Sequence, residues 1–166
     1  MTEGVTRFYA EARDGVPPTR TRPRLFGAVV ALFAGPRLLL ELRADSDVWS
    51  LVGGAVDEDE SVRAAAAREV REETGLELPR EAELIAVVSD PARVVAYPGG
   101  SVATLMTVVL GAQLREIAKP VVSAESRRLA FFGADELPVD RVAATHRVIL
   151  PIAFAWRAGD HRPDVD

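Results

Sequence analysis

The chain has 166 residues, 48% apolar and 27% charged, a balance that predicts a globular fold and excludes wholesale disorder. Its 20 basic and 25 acidic residues leave a formal charge of −5, which excludes a general nucleic-acid coat, since phosphate backbones demand a basic face. With no cysteine, disulfides, thiolate metal sites and a cysteine nucleophile are excluded together.

The length predicts a single domain over 1–166. No basic region followed by an apolar run opens the chain, and no apolar stretch approaches the roughly 20 residues of a membrane span. The expectation is a cytoplasmic protein without membrane contact. Residues 2–13 place Val5, Phe8, Tyr9 and Ala12 at helical spacing, a stripe for the core or for a dimer contact. Gly15 and Pro17-Pro18 end that helix, and a connector runs to Pro23. A hairpin follows. Leu25 to Ala34 is apolar, Gly35-Pro36 turns, and Arg37 to Arg43 returns with Leu38, Leu40 and Leu42 alternating. Asp45 to Asp47 reads as a loop closed by Trp49 and Leu51, with Trp49 as a packed anchor. Gly53-Gly54 breaks the chain before an acidic turn and a helix, Ser61 to Thr74, stopped at Gly75. Leu84 to Val88 and Val102 to Leu110 read as strands joined by a loop carrying Tyr97-Pro98-Gly99-Gly100. Leu129 to Phe132 is a short buried strand. The last helix spans about Arg141 to Trp156, kinked by Pro151, with His146 as a surface or capping residue. Strands precede, separate and follow the helices, so the class is α/β with helices on both faces of a sheet.

One segment carries chemistry. On a helix from Ser61, Glu69, Glu72 and Glu73 fall at i, i+3 and i+4 and share a face. That placement opposes helix stability twice. Like charges at i, i+4 cost about 0.2–0.5 kcal/mol, and acids in the final turns oppose the negative end of the helix dipole. Something positive should sit against this face. Three carboxylates in an arc suit a hard divalent cation, Mg²⁺ or Mn²⁺, which takes oxygen ligands and shares them with phosphate. Gly53-Gly54 would bring the backbone close enough to offer a carbonyl. The competing reading is a solvated face of i, i+4 pairs, which Arg68 with Glu72 fits.

Gly54, five residues, Glu60, seven residues, then Arg68-Glu69-Val70-Arg71-Glu72-Glu73-Thr74-Gly75-Leu76 resembles the Nudix box, G-x5-E-x7-R-E-U-x-E-E-x-G-U with U apolar. Every defined position from Gly54 to Leu76 is filled. Trp49-Ser50-Leu51 and Asp135-Glu136-Leu137-Pro138 also stand where Nudix (MutT-like) hydrolases carry similar segments. The resemblance implies an α/β/α sandwich with a mixed β-sheet between helices. It implies metal-dependent hydrolysis of a pyrophosphate bond in a nucleoside diphosphate derivative, with water attacking phosphorus. By the same resemblance Glu72 and Glu73 bind Mg²⁺ or Mn²⁺, Glu69 is a further ligand or the base, and the Gly53 carbonyl is another ligand. Arg68 orients the glutamates, Glu60 pairs with it, and Gly54 and Gly75 serve the motif structurally.

Departures from the pattern matter too. Val52 replaces a common proline, and Asp59 stands where glycine often precedes the first box glutamate. Glu125 is the available distal acid, functional or an exposed loop residue, and Arg127-Arg128 occupy the region where a second acid is expected. Arg43 would touch substrate phosphate or form an ordinary ion pair. Tyr97 would stack on a base or pack its own loop. The expected partner is a small nucleotide diphosphate substrate, neither nucleic acid nor membrane, with a homodimer on family grounds. The alternative is a non-catalytic nucleotide-sensing Nudix-fold domain, although a pure binder has no need of a repulsive carboxylate face.

Overall fold

A computed structural model describes residues 11–12, 23–96, 102–115 and 119–165. In chain order its strands are β1 (Glu11–Ala12), β2 (Arg24–Ala34), β3 (Arg37–Arg43), β4 (Trp49–Ser50), β5 (Val52–Ala55), β6 (Glu83–Val88), β7 (Val94–Ala96), β8 (Val102–Leu114), β9 (Ser126–Phe132) and β10 (Asp164–Val165). Helix α1 (Val62–Thr74) separates β5 from β6, while α2 (Ala144–Arg147) and α3 (Ile149–Arg157) precede β10.

The expected hairpin forms the middle of the sheet. β2 turns at Gly35-Pro36 into β3, with Phe33 opposite Leu38 and Ala34 opposite Arg37. Gly35 adopts φ 57°, which glycine tolerates without steric cost. One edge of β2 runs parallel to β8, from Arg24 opposite Thr104 to Ala34 opposite Leu114. Its other edge meets β3 only beside the turn; farther back it meets β5, from Val30 opposite Val52 to Gly27 opposite Ala55. β3 passes likewise from β2 to β4, with Glu41 opposite Ser50 and Leu42 opposite Trp49. The hairpin strands therefore diverge, and the chain from Trp49 to Ala55 fills the gap. β9 pairs with the far edge of β3, and β6 and β7 share the far edge of β8.

Alternate residues of β2 serve two cores, so the strand is buried on both faces. Ala28, Val30 and Leu32, with Leu39 and Val52, pack against Ala65, Ala66 and Val70 of α1. Val29, Ala31 and Phe33, with Leu38 and Leu40, pack against Ile149, Leu150, Ala153 and Trp156 toward α3. A mixed sheet with helices on both faces is the α/β/α sandwich expected. Among the described residues no helix is long and apolar enough to cross a membrane.

Three expectations are corrected. The helix over residues 2–13 fails where it can be checked, because Glu11 and Ala12 pair with Ala96 and Val95 as a strand. The edge of β7 offers backbone partners about which side-chain periodicity is silent; the rest of that segment lies outside the described residues. The loop between β6 and β8 contains an additional strand, β7, while Tyr97 and the residues after it to 101 lie outside the described residues. The last helix is broken rather than kinked. A 3₁₀ turn at Val139–Arg141 and α2 precede Val148, and α3 begins at Ile149. Pro151 falls in the first turn of α3, where its missing N–H has no intrahelical bond to make.

Candidate active site

Helix α1 is set by its ends. The Ser61 side chain accepts the Ala64 N–H at 3.1 Å, and Gly75, at φ 68°, donates its N–H to the Arg71 carbonyl at 2.9 Å. The buried face is Ala65, Ala66, Val70, Glu73 and Thr74. Glu73 is the anomaly on it. Only 3% exposed, it accepts the Gly53 N–H at 2.9 Å. Gly53 has φ 144°, and a Cβ there would lie 2.3 Å from the Ala28 carbonyl oxygen. A Cβ on Gly54 would lie 2.3 Å from Glu69 Oε1. Glycine is thus required at position 53, against the backbone of β2, whereas at position 54 the obstacle is the flexible end of Glu69.

Arg68 organises the outer flank. It binds both Glu60 carboxylate oxygens, at 3.1 and 2.9 Å, and donates to the Ala55 carbonyl at 3.1 Å. It also reaches Glu69 at 2.7 Å and Glu72 at 3.3 Å. The expected Glu60–Arg68 pair is formed, and Arg68 holds the Glu60 carboxyl below its ordinary range. Burial pushes Glu69 upward, although Arg68 opposes the shift. Glu72 is the most exposed of the three.

Glu41 joins this site and was not anticipated. It is fully buried, accepts the Ser126 hydroxyl at 2.6 Å and the Ser50 hydroxyl at 3.4 Å, and meets the Glu73 carboxyl. Desolvation pushes both carboxyls up, and at Glu73 the Glu41 charge acts in the same direction. The alternation of Leu38, Leu40 and Leu42 makes the other face of β3 look solvent-exposed. The available signal was Leu39, an apolar residue on the same face as Glu41, which α1 covers.

The structure brings Arg43 and Glu125 to the same cluster. Arg43 stands 3.3 Å from Asp45 and exerts its charge on Glu41 and Glu73. Glu125 is exposed, its carbonyl accepts the Ala44 N–H at 2.8 Å, and its charge reaches Glu41 and Glu69. Arg127 braces the neighbouring loop, 3.3 Å from Asp47 and 3.0 Å from the Ala44 carbonyl. Trp49 is the expected anchor, buried edge-to-face on Phe132 with ring centroids 4.9 Å apart. His146 is neither surface residue nor cap. Half-buried, its Nδ1 accepts the Leu51 N–H at 3.0 Å. Burial, then Arg93 and Arg43, push it down to about 4, so the ring is neutral. Tyr97 lies outside the described residues. A groove of about 800 Å³ between α3, β6 and β10, lined by Ile85, Val88, Pro151, Ile152 and Trp156, shares no residue with this site.

The resemblance implies a divalent cation. The ligands that the resemblance implies, the carboxylates of Glu69, Glu72 and Glu73 with the Gly53 carbonyl, would offer oxygen donors alone, the chemistry that suits Mg²⁺ or Mn²⁺. Two buried carboxylates side by side, Glu41 and Glu73, also make an environment that a cation would relieve. As they stand, no three His, Asp or Glu side chains among the described residues are grouped as ligands of one ion. Arg68 instead holds Glu69 and Glu72 on its guanidinium.

The sequence pattern of the NUDIX domain family matches residues 22–152. Over 113 residues the chain is 31% identical to an ADP-ribose pyrophosphatase of Methanocaldococcus jannaschii, covering 67% of this chain and 60% of that protein. The chain thus spans about 60% of the length of this curated relative. The MutT NUDIX hydrolase structure from Burkholderia pseudomallei has a TM-score of 0.64 at 28% identity, covering 78% of this chain and 98% of that one. The NUDIX hydrolase structure from Nitrosomonas europaea has a TM-score of 0.66 at 22% identity, covering 89% and 81%, a likeness of fold.

Proposed function

The chain belongs to the Nudix family, and from that premise we propose that it hydrolyses a pyrophosphate bond in a nucleoside diphosphate derivative, with water attacking phosphorus. The observation that carries this reading is the meeting of the Glu69, Glu72 and Glu73 face with the Gly53-Gly54 passage, where Glu73 is buried at a cost to stability. Glu72, Glu73 and the Gly53 carbonyl would hold Mg²⁺ or Mn²⁺, with Glu69 as a further ligand or as the base. The cation supplies charge screening for the diphosphate and a more acidic bound water. Arg68, itself fixed by Glu60, orients Glu69 and Glu72. Arg43, whose charge acts on Glu73, would contact the substrate phosphate, and Glu125, whose charge acts on Glu69, would be the distal acid. The likeness to an ADP-ribose pyrophosphatase of M. jannaschii makes ADP-ribose the first substrate to test.

ADP-ribose and a panel of other nucleoside diphosphate derivatives, incubated with Mg²⁺ in ¹⁸O-water, test the reading. The expected result is chelator-sensitive turnover with heavy oxygen in one phosphate product. Label on a sugar carbon would overturn attack at phosphorus. Nucleotides that raise the melting temperature without any turnover would assign a sensing domain instead.

A further inference from the structure

The chain beyond β9 returns to the strand that feeds Gly53. Ala143 donates its N–H to the Trp49 carbonyl at 2.8 Å, and Val142 bridges to Trp49 in parallel register. Three residues on, His146 Nδ1 accepts the Leu51 N–H at 3.0 Å. Leu51 is the residue at which the chain leaves β3 for β2, between β4 and β5. It is buried, so its N–H requires a partner, and a side chain supplies it.

His146 is held in turn. Arg93 donates to the Thr145 carbonyl at 2.9 Å, to the Val88 carbonyl at 2.6 Å and to Thr107 Oγ1 at 3.3 Å. These bonds tie the end of β6 and the middle of β8 to α2, next to the imidazole. They also keep a guanidinium close to it. A protonated ring would have no lone pair at Nδ1 for Leu51, and both Arg93 and Arg43 disfavour that state.

We propose that His146 is a positioning residue of the active site, anchoring Leu51 so that the Gly53 backbone meets the α1 carboxylates. The inference rests on the hydrolase reading above. Gly53 lies two residues from the anchor, and its N–H is the one Glu73 accepts. Neither residue after Leu51 stiffens the chain. Val52 leaves open the φ that proline would lock, and Gly53 at φ 144° occupies a conformation that only glycine enters freely. β5 is paired with β2 from Val52 onward and Glu73 accepts the Gly53 N–H, so the Leu51–His146 bond is the side-chain tether on the chain just before that pairing begins.

His146→Leu and His146→Asn in the full chain test the anchor. Leucine keeps bulk and removes the acceptor; asparagine places Oδ1 near the former Nδ1. With ADP-ribose and Mg²⁺, His146→Leu should lose roughly tenfold to a hundredfold in kcat at little-changed KM, and His146→Asn should recover most of it. Without any metal, amide hydrogen exchange across Leu51–Gly53 should quicken in His146→Leu and stay slow in His146→Asn. Melting temperatures of both variants show that each folds. Equal kcat in all three proteins, or unchanged exchange in His146→Leu, would overturn the proposal. A parent inactive on the whole panel counts against the hydrolase reading alone, and the exchange rates then decide the anchor.

Discussion

Replacing Glu73 with Gln removes one charge from the most crowded point of the site while keeping side-chain size. The amide oxygen can still accept the Gly53 N–H, held at 2.9 Å by the parent carboxylate, and the amide nitrogen can donate to the adjoining Glu41. Repulsion from Glu69 one turn earlier is worth about 0.2–0.5 kcal/mol, and repulsion from the helix end about 0.3–1 kcal/mol. Burial beside Glu41 acts in the same direction, since it pushes the Glu73 carboxyl well above its ordinary range. The metal-free variant should therefore be about 0.5–1.5 kcal/mol more stable than the parent, or more. For a chain of this size that is a gain of roughly 1–6 °C in Tm. Turnover should nevertheless collapse, because a proposed cation ligand is gone. Mg²⁺ at a hundredfold excess over Kd should stabilise the parent by about 2.7 kcal/mol and the variant far less. Calorimetric melts in chelator and in Mg²⁺, beside hydrolysis rates, make the comparison. A variant that melts several degrees below the parent in chelator yet turns over normally would show that the acidic face serves folding.

The two glycines should separate stability from chemistry. Gly53→Ala places a Cβ against backbone at 2.3 Å and φ 144°, so the urea midpoint should fall by the equivalent of about 1–3 kcal/mol or more. At Gly54→Ala the collision is with the movable Glu69 carboxylate; the midpoint should change little while kcat drops. Ser61→Ala removes the side-chain cap of α1 and should cost about 1 kcal/mol in urea at unchanged slope. The His146 ring, pushed down to about 4 from an ordinary 6.5, takes up its proton less readily folded than unfolded. Its contribution is full above about pH 6.5 and is lost as pH falls toward 4, about 2–3 kcal/mol after allowance for partial exposure. Urea titrations of parent and His146→Asn across that window should diverge; parallel curves would refute the assignment.

Much of this protein is written in short-range sequence. The Gly35-Pro36 hairpin, the Ser61 and Gly75 ends of α1 and the glutamate face follow from local periodicity, turn chemistry and spacing, the Arg68–Glu60 pair from the resemblance to the Nudix box, and all are present. These features depend on residues within a turn or two of each other, or on one helix face. The remainder depended on which distant segment covers which surface. The leucines of β3 mark one apolar face, but only the packing of α1 on the other buries Glu41 beside Glu73. Ser126 reaches Glu41 from 85 residues away, and His146 reaches Leu51 from 95. Pro151 was legible as an interruption, yet its place within the first turn of α3 followed from the break at Val148. Glu11 and Ala12 pair as strand because an edge was open to them. Periodicity reports which faces are apolar; the tertiary contacts decide what lies against them, and so which polar side chains are buried together at the site.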